Sequence, residues 1–303
     1  MIVTLEESLF AAPGLNPLLL LSIFRHGFEG RHIVLTDHPS PSKNPYFQAW
    51  LAARDPSVRD FVTAALNRGL TAYSNATTVV KVRVADRKQS HWEGNPPSLA
   101  PDDAALLMAL PLYLVLEDRL SDKHFLLCVL PRPKRAELQH AFARGWCRAE
   151  NGGGLGNMRR YIESLRDEPA ERLRTWFLFD RDTEASGEPS RQSQLVKADC
   201  ENHSLPHHQL SRRSIENYLP PEALDWWAAD KRREAYEERR QLVQKFKIIA
   251  PEKRHHLNMK EHFRGDIADL FREEDFNIDP AWLDRDQQRT EINDVMKKLF
   301  ERM

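Results

Sequence analysis

Two short apolar runs in this chain each end in acid. Leu112 to Leu116 (LYLVL) leads directly into Glu117, and Thr175 to Phe179 (TWFLF) leads into Asp180-Arg181-Asp182. Continuous apolar runs of this length read as parallel strands buried on both faces. In an open α/β sheet the carboxyl ends of the strands form the ligand crevice, so acids at two adjacent strand ends would meet there. Like charges held close are costly unless a proton or a cation neutralises them. Three carboxylates without a histidine offer the oxygen ligands that Mg²⁺ takes while keeping several of its waters. Such a centre can activate water and stabilise charge on a phosphate in transfer. For any one of these acids alone, a strand end on a solvated surface is the better reading. The repetition after two buried runs favours a site.

Other residue groups carry weaker chemistry. Asn151-Gly152-Gly153-Gly154-Leu155-Gly156 has Asn157 where a dinucleotide fingerprint needs its third glycine, and no Gly-Lys-Ser/Thr follows to make a P-loop. The cluster reads either as a tight turn or as a source of backbone N–H groups for a phosphate. His203, His207 and His208, and likewise His255, His256 and His262, lack a cysteine partner or a His-Glu-x-x-His pattern, so no zinc is expected. Residues 231–254 hold nine basic and four acidic side chains. That run is either a local nucleic-acid patch or a solvated helix face. Trp226 and Trp227 read as core or interface.

Three segments position these residues. Residues 1–107 read as an N-terminal α/β domain. It has an apolar helix from Pro17, a strand at His32 to Thr36, a turn-rich loop at Pro39 to Pro45, a helix at Ser57 to Arg68, a strand at Thr77 to Val84 and a proline-rich linker at Gly94 to Pro101. Residues 108–225 follow the rhythm of an α/β sheet: strand, helix over 121–144 interrupted by Pro131 and Pro133, glycine turn, helix, strand. Residues 226–303 read as a helical C-terminal extension. No internal repeat is visible. The 303 residues, 41% hydrophobic, can bury a large interior, and a formal net charge of -1 excludes a strongly basic whole-protein signature. Three widely spaced cysteines point to a reduced, cytoplasmic protein. The apolar run Leu15 to Phe24 is too short to span a bilayer, so no membrane partner is expected.

The run Leu114-Val115-Leu116-Glu117-Asp118-Arg119-Leu120-Ser121-Asp122-Lys123 resembles the first TOPRIM motif, a strand ending in Glu followed by Gly and a Ser-Asp pair. Trp176 to Asp182 (WFLFDRD) resembles the second, a strand ending in Asp-x-Asp. Glu150 to Gly156 is similar to the glycine turn of TOPRIM proteins akin to the OLD nucleases, and Arg212 to Leu219 (RRSIENYL) resembles the Arg-x-Ile-Glu-Asn-Tyr-Leu signature of that branch. The four motifs stand in order over residues 110–220. The chain departs from the pattern at Asp118, where the family has Gly, and by one extra residue before the Ser-Asp pair.

The resemblance implies a Rossmann-like TOPRIM parallel sheet over 108–225 and a Mg²⁺- or Mn²⁺-dependent nuclease acting on DNA or RNA. In that reading Glu117, Asp180 and Asp182 hold the ion, Glu216 faces the same crevice, and Lys260 points back to it to hold the scissile phosphate. For Glu216 a carboxylate favoured by a helix start, and for Lys260 a solvated surface lysine, stay open as alternatives. Asn217 reads as a structural hydrogen bonder. Stand-alone relatives of this branch work beside a separate ABC-type ATPase in antiviral defence. A non-catalytic TOPRIM docking subunit of an ATPase complex is the rival reading, and a phosphatase or phosphotransferase for small substrates is a third. A topoisomerase would need a further large domain with a catalytic tyrosine, and a primase a zinc-binding domain.

Overall fold

The computed structural model describes every residue except Pro13, 39–42, 184–186, 230–234, 264–265, 274–275 and 286–287. Parts of the turn-rich loop at 39–45 and the start of the basic run at 231–234 thus lie outside the described residues. The chain forms a helix-rich α/β fold with two four-stranded parallel sheets, divided into two compact units. Unit 1 gathers Met1–Leu112, Glu168–Arg174 and Leu299–Met303; unit 2 gathers Tyr113–Asp167 and Thr175–Lys298.

Unit 1 contains β1 (Ile2–Leu5), β2 (Ile33–Thr36), β3 (Lys81–Val84) and β4 (Ser98–Leu99) in the order β2-β1-β3-β4, with every neighbouring pair parallel. Val3 lies opposite both Val34 and Val82 and all three are buried. The apolar helix is Pro17–Glu29. Asn16 caps it by accepting from Leu18 N, and Gly30, at φ 79°, ends it. The helix Pro56–Tyr73 lies so close to β2 that a Cβ on Gly69 would stand 2.2 Å from the Val34 carbonyl oxygen.

Two expectations for this unit need correction. The strand expected from Thr77 begins at Lys81, because Thr78 Oγ1 and Val79 N donate instead to the carbonyl of Glu301, at 2.8 and 2.9 Å. Gly94 to Pro101 is not a linker. It contains β4, Ser98 bridges His91, and Pro101 opens the helix Pro101–Ala109; proline suits a first helical position because no intrahelical partner awaits its missing N–H.

The second sheet has β5 (Leu112–Leu116, in unit 2 from Tyr113 on), β6 (Cys147–Asn151), β7 (Thr175–Phe179) and β8 (His207–Gln209) in the order β6-β5-β7-β8. β5 and β7 are adjacent and parallel, with Leu114 opposite Trp176 and Leu116 opposite Leu178. All five residues of β7 are buried, the burial on both faces that a continuous apolar run dictates. Leu155, Met158, Ile162, Val196 and Cys200, from the helices Leu155–Ser164 and Arg191–Asn202, cover Val115, Phe177 and Phe179. Elsewhere in the unit the Phe125 ring meets Tyr218 and Phe271 at 5.4 and 5.5 Å. The interrupted helix divides at Leu130 and Pro131 into Arg119–Val129 and Arg132–Ala143, since proline disfavours helical backbone in the residue before it. The region beyond Pro221 is helical, closing with Arg289–Phe300; Asp266–Arg272 is a 3₁₀ segment. Among the described residues no helix is long and apolar enough to cross a membrane.

Candidate functional site

The parallel pairing of β5 and β7 brings Glu117 and Asp180 to the same sheet edge. Glu117 Oε2 accepts from Asp180 N at 3.4 Å. Burial raises the Glu117 pKa; the Asp180 amide opposes the shift, the charges of Asp182 and Glu216 add to it, and Lys260 works against it. Asp180 is driven well above the ordinary carboxylate range by burial, then by Glu117, Asp122 and Glu216, with Lys260 opposing. Its carbonyl accepts from Ser193 Oγ at 2.6 Å, which fixes the strand end against the helix Arg191–Asn202. Asp182 has left-handed backbone, φ 52°, and its amide donates to Arg213 O at 2.8 Å. Such backbone is uncommon outside glycine, though Asp adopts it more readily than most residues. Here it turns the chain directly after the second strand end.

Glu216 lies in the 3₁₀ turn Ile215–Tyr218 and is 1% exposed. Its Oε1 faces Lys260 Nζ at 3.5 Å, while its Oε2 is buried without a hydrogen-bond partner. Asn217 links the segments that carry these two groups. Its Oδ1 accepts from Ser214 N and Oγ at 3.0 and 2.9 Å, and its Nδ2 donates to the carbonyls of Arg254 and Leu257 at 2.8 and 3.0 Å, just before the short helix Met259–His262. Acidic neighbours raise the Lys260 pKa: Glu216 acts most strongly, burial opposes, and Asp180 and then Glu117 add to it. The five residues picked out from the sequence are therefore neighbours in unit 2: Glu117 meets Asp180, Glu216 meets Lys260, and the charge of Asp182 acts on Glu117.

One member was missed. Asp122, 6% exposed, faces the same carboxylates, and burial, reinforced by Glu117, Asp118 and Glu216 against the Asp118 amide, pushes it up to about 8. Its position in the first turn of a helix that starts just after a strand-end acid was the available signal. The departure at Asp118 also finds its reason here. Asp118 caps the helix Arg119–Val129: Oδ1 accepts from Leu120 N and Oδ2 from Ser121 Oγ, both at 3.0 Å, and its own amide donates to Asp122 Oδ2 at 3.0 Å. Its backbone is extended (φ -118°), so no glycine is required.

The glycine turn supports the site without offering a phosphate cradle at its centre. The amides of Gly152, Gly153 and Gly154 donate to Leu116 O, Asn151 Oδ1 and Glu117 O at 2.6, 3.2 and 3.3 Å. A Cβ on Gly152 would stand 2.8 Å from Leu116 O, so the turn presses against the end of β5. Four of the six histidines have partners away from these acids, while the His255 carbonyl accepts from Arg213 N at 3.0 Å, next to the Asp182 turn. The Nδ1 atoms of His203 and His207 lie 2.9 and 3.0 Å from the carbonyls of Asp199 and Leu205, His208 pairs with Glu291, and His262 meets Leu242 O.

Among the described residues no group of three or more His, Cys, Asp or Glu side chains is set to hold a metal ion as the side chains stand. The donor chemistry nevertheless suits one kind of ion. The crevice presents carboxylate oxygens, one of them buried and unpartnered, and Mg²⁺ binds through one or two carboxylates while retaining water. Compared with protein-family models, curated proteins and solved structures, the chain matches none. What fold and geometry define is a helix-rich α/β protein of generic Rossmann-like architecture, with acidic side chains gathered at the carboxyl end of its second sheet.

Proposed function

We propose that unit 2 is a Mg²⁺- or Mn²⁺-dependent phosphodiester-cleaving centre of the TOPRIM type, acting on DNA or RNA. The observation that carries the proposal is the gathering of carboxyl groups at one strand edge: Glu117 Oε2 lies 3.4 Å from the Asp180 amide, Asp122 and Glu216 are buried beside them, and Glu216 Oε2 has no hydrogen-bond partner. Buried like charges persist at a strand edge when a cation compensates them. Glu117, Asp180 and Asp182 would hold the ion, with Glu216 and Asp122 beside them. A bound Mg²⁺ supplies charge neutralisation and polarises the phosphate.

The chain's own groups do the rest. Lys260 is cationic and two-thirds exposed, so its Nζ can donate to a non-bridging phosphate oxygen above the crevice. Glu117, next to Asp180 at the strand edge, would take the proton of an attacking water where it does not itself bind the ion. The Asn217 cross-tie and the glycine turn keep the acids in place. The resemblance of the motifs supports a separate ABC-type ATPase as partner and a role in antiviral defence.

The absence of a ready-made coordination group among the described side chains favours the rival, a non-catalytic docking subunit. Calorimetric titration separates the two. A cleaving centre takes up Mn²⁺ or Mg²⁺, and the uptake is lost in Asp180→Asn; a wild-type protein that binds neither ion at millimolar concentration would sink the catalytic proposal.

A further inference from the structure

The segment that presents Glu216 is gripped from a distance by one carboxylate, that of Glu291 in the helix Arg289–Phe300. Glu291 Oε1 accepts from Ser211 N at 2.7 Å and pairs with His208 Nε2 at 3.1 Å. Its Oε2 accepts from Tyr218 Oη at 2.6 Å and from Ser211 Oγ. Burial works to raise the Glu291 pKa, and the donors of His208, Ser211 and Tyr218 outweigh it, holding the group at about 2. The carboxylate is thus ionised and saturated. Ser211 and Tyr218 bracket the stretch that contains Glu216, and Tyr218 is two residues from it. Arg212 strengthens the same bracket: its guanidinium lies 5.1 Å from the Tyr218 ring centroid, and its Nη1 donates to Asn217 O at 2.6 Å.

The bracket has a directional consequence. Asn217 already ties this stretch to the residues leading to Lys260, so the Glu216–Lys260 approach of 3.5 Å is set from both sides. On the Asn217 side the restraint comes from backbone carbonyls of Arg254 and Leu257. On the Tyr218 side it comes from side chains: Glu291 makes the shortest bond to the Tyr218 hydroxyl, at 2.6 Å, and the Arg212 amide and Ser211 Oγ stand 3.4 and 3.5 Å from the same oxygen. A tyrosine hydroxyl held by a charged acceptor is a stronger and more directional bond than a neutral pair. We infer that Glu291 is a positioning residue of the acidic crevice, holding the Ile215–Tyr218 turn so that Glu216 faces Lys260 and the ion site. This rests on the proposed function for the ion, while the positioning itself concerns the Glu216–Lys260 pair.

Two readouts test it on the full chain. The first is the rate at which Lys260 is acylated by an amine-reactive reagent at fixed pH, read by peptide mass spectrometry in the absence of metal. Glu216→Gln should raise that rate by removing the ion pair. Glu291→Gln should raise it by a factor of roughly two to ten, the range for one lost hydrogen bond, and should add nothing in the Glu216→Gln background. Tyr218→Phe, which removes one hydroxyl and keeps the ring, should act in the same direction and serves if Glu291→Gln does not fold. The second readout is Mn²⁺ affinity by calorimetry, which should weaken with Glu291→Gln and Tyr218→Phe and again show no added effect with Glu216→Gln. If both variants lower thermal stability while Lys260 keeps its wild-type labelling rate, Glu291 merely braces the fold and the inference is overturned. If wild type binds no Mn²⁺, the proposed function falls, and the labelling rates still decide the role of Glu291.

Discussion

Each unit sets a glutamate on the end of its first central strand, and the two have opposite fates. Glu6 follows β1 as Glu117 follows β5, and both sheets run in the order second, first, third, fourth. In unit 1 the neighbouring strand β3 alternates exposed and buried residues (KVRV), so Arg83 stands on its open face and its Nε reaches Glu6 Oε1 at 2.9 Å. In unit 2 the neighbouring strand β7 is buried throughout, and Leu178 lies opposite Leu116. Glu117 therefore meets Asp180, Asp182 and Glu216 instead of a strand-borne guanidinium. The comparison teaches that an acid at a strand end does not make a site. The pattern on the adjacent strand decides whether that acid meets a guanidinium on the sheet or other carboxyl groups at the strand edge.

The largest expected break in this comparison is catalytic. Glu117→Gln and Asp182→Asn should each reduce nucleic-acid cleavage about a hundredfold or more, the scale for removing a direct catalytic or electrostatic group, measured with the ATPase partner present if one is required. Glu6→Gln should leave cleavage unchanged. Loss of activity with Glu6→Gln, or wild-type cleavage by Glu117→Gln, would place the chemistry elsewhere.

Gly152→Ala should come next. Its Cβ would meet Leu116 O at 2.8 Å and Met158 Cγ at 2.6 Å, a clash that costs about 1–3 kcal/mol in denaturant unfolding. Activity should fall further than stability, since the displaced strand end carries Glu117.

Asp122→Asn should stabilise the metal-free protein. With a folded pKa of about 8 against an ordinary 3.8, the native state favours the protonated acid. The stability this gives is complete below pH 3.8 and is lost as pH rises through about 8. An amide removes that loss, so the gain should be about 1–2 kcal/mol near pH 8 and vanish in acid. Equal stabilisation at all pH values would mean that ionisation is not the cause. The smallest effect belongs to unit 1. Arg83→Met breaks a largely exposed pair and should cost no more than about 1 kcal/mol, and less in high salt.

Legibility in the sequence followed burial. β5 and β7 announced themselves because burial on both faces demands uninterrupted apolar residues, and their acids came with them. β6 (CRAEN) and β8 (HHQ) carry no such pattern, being polar strands at the sheet edges, and the four-residue β1 was equally silent. Glu216 and Lys260 were marked by the resemblance of their motifs and not by spacing. Asp122 was quoted within a motif yet passed over, because its approach to the crevice depends on where a helix begins. Glu291 left no trace, since it reaches Tyr218 from 73 residues away.

Unit 1 is discontinuous along the chain. The acceptor for Thr78 and Val79 is the carbonyl of Glu301, and Arg174 Nη1 donates to Arg302 O at 3.2 Å. A chain synthesised from its amino end therefore makes most of unit 1 before unit 2, adds Glu168–Arg174 between the two pieces of unit 2, and supplies Leu299–Met303 after both. On a ribosome the first unit to begin assembly is the last to finish. A single proteolytic cut after residue 112 would not free it whole, and loss of residues 299–303 would remove the partners of Thr78, Val79 and Arg174 from the part of the molecule made earliest.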